Sequence, residues 1–219
     1  MFRVLNNVFA PGELDAIRDV LKNVSYADGR VTNRNSTVKQ NLQAPQGDEG
    51  NARIAQIVRE ALFRHPDVRL LALPRTMARA TVVRYEPGMT YGWHVDEALF
   101  PSTPPMRSDL SCTVFLSPSS DYDGGELVMQ LGAQHLAYKL EPGQAILYPS
   151  TTIHQVTPVT RGVRIAAITW LQSWIPDAQQ RELLIQLEEA RGRADPSDLR
   201  TMVLLESLRT NLFRMWADT

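Results

Sequence analysis

Between residues 78 and 171 the chain breaks into short runs rich in Val, Ile, Thr and aromatic residues, at 78–85, 110–117, 126–130, 136–140, 145–148 and 163–171, with turn residues between them. Runs of this length suit strands rather than helices, and no helical segment of crossover length separates them. Asp123-Gly124-Gly125 predicts a hairpin between two runs, and Glu141-Pro142-Gly143 predicts a second turn. The pattern argues against βαβ units and for an antiparallel sandwich or jelly roll.

The flanks have helical periodicity. Residues 11–22 carry Leu14, Ile17, Val20 and Leu21 at helical spacing, with acidic residues in the first turn. Residues 51–64 place Ile54, Ile57, Val58, Ala61 and Leu62 on one face. His65-Pro66 ends that helix, because the residue before a proline avoids the helical region. His65 reads as its C-terminal cap. In the polar stretch 27–50, Lys39, Gln40 and Asn41 read as a solvated loop, with the lining of a substrate entrance as the rival reading. Residues 178–191 carry Leu183, Leu184 and Leu187; Asp195-Pro196 then predicts the N-cap and first position of a last helix. The expected fold is mainly β with flanking helices. Residues 1–175 would form the core domain with its N-terminal helices, and residues 176–219 a small helical C-terminal region. The leucine-rich stripe of that region either covers the β core or forms a homodimer contact.

Composition narrows the function classes. The 23 basic and 24 acidic residues give a net charge of -1, and no long Lys/Arg run is present. Nucleic-acid binding, which needs a basic face, is not expected. The single cysteine, Cys112, excludes an internal disulfide and a cysteine-built zinc site. Inside an apolar stretch it reads as a small buried hydrophobe rather than a reactive thiol. The N-terminal residues lack the apolar core of a signal peptide, and nothing approaches the ~18 apolar residues of a membrane helix. A soluble, cytoplasmic protein without a membrane partner is expected.

The chemistry concentrates on few residues. There are four histidines, His65, His94, His135 and His154. In an extended chain His94 and Asp96 point to one face and can grip one cation. His154, after the run 145–148 and a polar turn, is the candidate third ligand. Two histidines and one carboxylate form the facial triad of non-haem iron(II) oxygenases, which leaves adjacent positions open. Arg164 lies in a strand otherwise made of Ile, Ala, Thr and Trp, where an unpaired charge costs several kcal/mol. A bound dicarboxylate would pair it in two-pronged fashion, and 2-oxoglutarate suits both ends: its keto acid the iron, its far carboxylate Arg164. Tyr85 could hydrogen-bond that co-substrate; Tyr91 could do so instead, or pack. Alternation also turns Ser111, Thr113 and Phe115 toward the cavity and Trp93 away from it. The stretch 99–107, with three prolines, is the expected rim. His135 reads as solvent-exposed.

The segment Tyr85-Glu-Pro-Gly-Met-Thr-Tyr-Gly-Trp-His94-Val-Asp96, the Gly-Gly-Glu-Leu127 stretch and His154-Gln-Val-Thr-Pro-Val-Thr-Arg-Gly-Val-Arg164 resemble the motifs of the prolyl 4-hydroxylase-like dioxygenases. Their order and spacing are similar to those of the bacterial PKHD-type hydroxylases, a group linked to iron uptake. The resemblance spans nearly the whole chain. It implies a double-stranded β-helix core, iron ligands His94, Asp96 and His154, and Arg164 as the anchor of 2-oxoglutarate. It leaves the prime substrate, peptidyl or small molecule, open.

The expected activity is hydroxylation of an unactivated C–H bond with iron(II), 2-oxoglutarate and dioxygen, and with ascorbate as reductant. Two rivals stand beside it. The same ligands could hold zinc and a water in a hydrolase, which leaves Arg164 unexplained. The fold could also serve as a non-catalytic metal or 2-oxoglutarate sensor.

Overall fold

The structure, a computed structural model, describes residues 2–33 and 36–218. The chain opens with β1 (Arg3–Leu5) and α1 (Glu13–Leu21), then the two-residue strands β2 (Ala27–Asp28), β3 (Lys39–Gln40) and β4 (Leu42–Gln43). Helices α2 (Glu49–Arg64) and α3 (Pro66–Ala72) follow. Next come β5 (Pro74–Met77), β6 (Thr81–Tyr85), β7 (Thr90–His94), β8 (Leu99–Phe100), β9 (Met106–Arg107) and β10 (Leu110–Phe115). The β region continues with β11 (Tyr122–Gly124), β12 (Leu127–Leu131), β13 (Gln134–Tyr138), β14 (Ala145–Pro149), β15 (His154–Val156), β16 (Val159–Gly162) and β17 (Arg164–Ser173). Helices α4 (Ala178–Arg193) and α5 (Leu199–Trp216) close the chain.

The larger sheet has the order β1-β14-β10-β17-β6-β4-β2, with β5 also paired to β17; the smaller runs β13-β12-β15-β7-β3. The ladders are antiparallel, as the turn-separated runs predict. Strand alternation divides the core in two. On the larger sheet Val82, Cys112, Val114 and Ala167 face outward onto Ile54, Val58 and Leu62 of α2. Their neighbours Val83, Phe115 and Ala166 face inward onto Leu127, Met129 and Val156 of the smaller sheet. This is a double-stranded β-helix with helices on its outer face. Cys112 is buried, and burial pushes its thiol pKa up to about 12, so it packs as a thiol.

Several local expectations are corrected. Asp123-Gly124-Gly125 is not a hairpin turn, because β11 pairs with β16 and not with β12. Gly124 and Gly125 both take positive φ, 71° and 68°, as the chain changes sheets. A Cβ on Gly124 would lie 2.0 Å from the Pro158 carbonyl oxygen. The hairpin joins β12 to β13 around Gly132 instead. His65 does end α2 through its backbone N–H, but its Nδ1 accepts from the N–H of Asp67. Its side chain therefore caps α3, a helix with Pro66 at its first position. The last helix starts at Leu199 with Asp198 as cap, since Asp195 is engaged by the N–H of Ser197. Lys39 and Asn41 are buried, with Lys39 in β3, so that stretch is not a solvated loop.

Helix α5 packs on α4 and leaves Leu199, Val203, Leu204, Leu208 and Met215 exposed. Its far end returns to the core: the Asp218 N–H donates to the Trp174 carbonyl, and its carboxylate pairs with Arg107 at 3.0 Å. No described helix is long and apolar enough to cross a membrane.

Candidate metal centre

Strands β7 and β15 run antiparallel with His94 directly opposite His154, which explains how two residues sixty positions apart in sequence meet. Their ring centroids are 4.2 Å apart. Asp96 follows two residues past His94 on the same face. One ligand atom from each of His94, Asp96 and His154 lies within 4.8 Å of the others.

Each histidine is held from behind. The Nδ1–H of His94 donates to the Gly92 carbonyl at 2.8 Å, and that of His154 to the Thr152 carbonyl at 2.9 Å. These bonds fix the tautomer and leave both Nε2 lone pairs facing the gap, the arrangement a metal-bound imidazole needs. The Tyr91 ring stacks on His94 at 3.6 Å and 9°. The Tyr148 hydroxyl lies 3.3 Å from His154 Nε2, and burial raises its pKa well above the usual phenol value, so it stays a donor. Asp96 Oδ2 accepts from the Ser111 hydroxyl at 2.5 Å, and Ser111 is 2.8 Å from Ser150 Oγ. The other oxygen, Oδ1, is left 3.9 Å from His154 Nε2. A hydroxyl holding one oxygen of a ligating carboxylate aims the other. Ser111→Ala is therefore expected to lower iron(II) affinity by about 10–100-fold with the fold intact, as read by metal titration.

Burial, with His154 as a second cause, pushes the His94 pKa down to about 4. An unfolded histidine takes up its proton near pH 6.5. Between those values the unfolded chain binds more protons, so stability falls as pH falls. The metal-free protein is expected to unfold at lower urea near pH 5 than near pH 7. A midpoint that rises on acidification would show that the folded state does not hold His94 neutral.

Arg164 is the largest of the fully buried side chains, at 1% exposure. It opposes Tyr85 across β6 and β17. Its guanidinium carbon lies 5.2 Å from the Tyr85 ring centroid and 5.3 Å from that of Phe115. Its Nε has no hydrogen-bond partner among the described residues. A Cβ on Gly125 would come within 3.0 Å of Arg164 Cδ, so the positive-φ glycine makes room for the arginine. Burial pushes the Tyr85 pKa up to about 12, which keeps the phenol protonated beside the cation.

A cavity of about 1520 Å³ is lined by Tyr85, Tyr91, His94, Asp96, Ser111, Tyr148, His154 and Arg164; Thr113 and Ile168 also line it, and the proline-rich stretch 99–107 forms its rim. Phe115, expected to face it, packs in the inner core instead. His94, Asp96, His154, Arg164 and Tyr85 thus share one cavity. Trp93 points outward, 40% exposed, and packs on the exposed His135. Tyr148 and Ser150 did not emerge from the sequence as site residues, and Lys39, which lines the cavity, did so only as the rival reading of a substrate entrance. For Tyr148 a signal existed, since alternation puts it on one face with Ile146.

The family model of the 2OG-Fe(II) oxygenase superfamily matches residues 80–172. A PKHD-type hydroxylase of Sphingopyxis alaskensis is 39% identical over 99% of both chains. One from Colwellia psychrerythraea is 39% identical over the full length of both. Among solved structures, a Pseudomonas putida prolyl-4-hydroxylase superposes with a TM-score of 0.53 at 18% identity, covering 78% of this chain and 92% of that one. HygX of Streptomyces hygroscopicus, with nickel, 2-oxoglutarate and hygromycin B bound, gives 0.55 at 16% identity, covering 80% and 84%. These two likenesses concern the fold; the relatives matched end to end in sequence settle the family. The chain belongs to the PKHD-type hydroxylases of the 2OG-Fe(II) oxygenase superfamily.

Proposed function

We propose that His94, Asp96 and His154 hold iron(II), that Arg164 receives the far carboxylate of 2-oxoglutarate, and that the enzyme hydroxylates an unactivated C–H bond of a peptidyl or small-molecule substrate. One observation carries this reading: two tautomer-fixed imidazoles and an aimed carboxylate converge in the same cavity as a buried guanidinium whose Nε has no hydrogen-bond partner among the described residues. The donor set contains no sulfur and suits ferrous iron. Bound there with 2-oxoglutarate and dioxygen, iron supplies the oxidising power that puts one oxygen atom into the substrate, with succinate and carbon dioxide as co-products.

The chain's own residues do the rest. The Gly92 and Thr152 carbonyls fix the imidazoles, and Ser111 fixes the carboxylate. Arg164 orients the co-substrate by a two-pronged contact. Val83, Leu127, Val156 and Ile168 wall the inner cavity with apolar surface and exclude water. Tyr148 remains a neutral donor beside His154.

Ascorbate is the reductant of this proposal, and a reducing compartment such as the cytoplasm is where ferrous iron persists. For the exposed apolar face of α5 the accompanying proposal is a homodimer contact. The central experiment incubates purified protein with iron(II), ascorbate and 2-oxoglutarate in air. Succinate should appear slowly even without the prime substrate. No succinate from iron-loaded protein, or hydrolysis under argon without 2-oxoglutarate, would overturn the oxygenase reading and favour the hydrolase.

A further inference from the structure

Arg164 is not the only buried cation in the cavity. Lys39 is 6% exposed, and its ammonium donates to Thr32 Oγ1 at 2.9 Å and Gln43 Oε1 at 3.1 Å. Both partners are neutral. Among the described residues no carboxylate lies within ion-pair distance of it; Asp28 and Asp96 support its charge only through space, and burial pulls its pKa down to about 8. One of its three N–H groups is left without a described partner. Holding a charge in this state is costly unless an anion completes it.

Its position says where that anion would lie. Lys39 pairs with Tyr91 across β3 and β7, and its nitrogen is 5.4 Å from the Tyr91 ring centroid. That ring stacks on His94. The ammonium is therefore on the smaller sheet, one aromatic ring away from the triad. Arg164 projects from β17 of the larger sheet. Two separated cations on two walls suit two different anions.

We infer that Lys39 is the anchor for a carboxylate on the prime substrate, which makes that substrate an acidic molecule or an acidic peptide segment. The inference rests on the oxygenase reading, in which 2-oxoglutarate occupies Arg164. One free N–H suits a single carboxylate oxygen better than the several donors a phosphate gathers. Thr32 and Gln43 hold the side chain in place, so the charge is presented by a fixed arm.

The first test needs no turnover. The chain has three lysines, Lys22, Lys39 and Lys139, so limiting acetic anhydride near pH 8 can be read residue by residue by mass spectrometry. In protein loaded with iron(II) and 2-oxoglutarate under argon, millimolar benzoate should slow acylation of Lys39 by about threefold or more relative to the exposed Lys22, and benzamide should not. Equal protection by acid and amide, or none by benzoate, overturns the assignment. The second test measures succinate release with peptides matched in Glu and Gln. The acid should be preferred by about tenfold in the wild type and in Lys39→Arg, and the preference should vanish in Lys39→Met. A Lys39→Met variant that instead raises the 2-oxoglutarate requirement as far as an Arg164 variant does also overturns it, since Lys39 would then belong to the co-substrate. If wild-type protein makes no succinate at all, the oxygenase reading fails, while the labelling result stands on its own.

Discussion

Asp96→Ala is expected to abolish iron(II) retention and to cut succinate formation by more than the roughly 100-fold that losing an outer hydrogen-bond partner costs. Asp96 is the one anionic member of the triad, and it faces His94, which burial keeps neutral, and His154, whose Nδ1 is held by the Thr152 carbonyl. Removing it leaves a divalent cation with two neutral donors in a partly dry cavity. That cannot offset the loss of hydration. The fold should tolerate the change. Asp96 lies beyond the end of β7, and its loss strips Ser111 of one acceptor while leaving Ser150 within 2.8 Å. Asp96→Asn sharpens the test, since it keeps the shape and removes only the charge. Both variants should match the wild-type circular dichroism and differ from it in metal titration. Near-normal iron affinity in Asp96→Ala would remove this residue from the metal centre and with it the proposed mechanism.

What could be read from the sequence was what depends on period two and on chemical scarcity. His94 and Asp96 share a face because residues two apart in extended chain always do. Arg164 stood out because a charge inside a run of Ile, Ala and Thr demands a partner. The β core followed from the lengths of the runs. What was not legible depends on partners far away in the chain. The Asp-Gly-Gly step has the same local chemistry in a hairpin and in a sheet crossing; only β16, some forty residues on, decides that β11 leaves with it. Lys39 lies in a two-residue strand, too short for any periodicity to show. Its burial is created by its pairing with β7. Helix α3 is seven residues beginning at a proline, and the sequence signal that ends α2 hides its start. At the last helix two aspartates compete as caps, and the side chain of Asp195 is already spent on Ser197.

Arg164→Met is expected to separate stability from function. With no anion present, the buried guanidinium is supported by two aromatic faces and has an Nε without a described partner. Burying a charge in that state is a net cost, and replacing it with an apolar side chain of similar length is often neutral or stabilising. The stem of the methionine can fill the space that Gly125 leaves beside the arginine. The variant without 2-oxoglutarate should therefore melt no lower than the wild type. Adding 2-oxoglutarate with iron(II) or an inert surrogate should raise the melting temperature of the wild type, because a ligand that binds only the folded state stabilises it by mass action. It should do little for Arg164→Met. A two-pronged contact between guanidinium and carboxylate contributes about 3–5 kcal/mol when both of its charge-assisted hydrogen bonds are counted. Its loss corresponds to an increase in the 2-oxoglutarate requirement of roughly 100-fold or more. Arg164→Lys should recover part of it, since a lysine keeps the charge and loses the fork. Iron affinity without 2-oxoglutarate should stay close to wild type in both variants, because Arg164 is not among the three metal-ligand candidates. If Arg164→Met instead melts much lower while keeping its response to 2-oxoglutarate, the arginine is a packing element and the co-substrate's far carboxylate is held elsewhere.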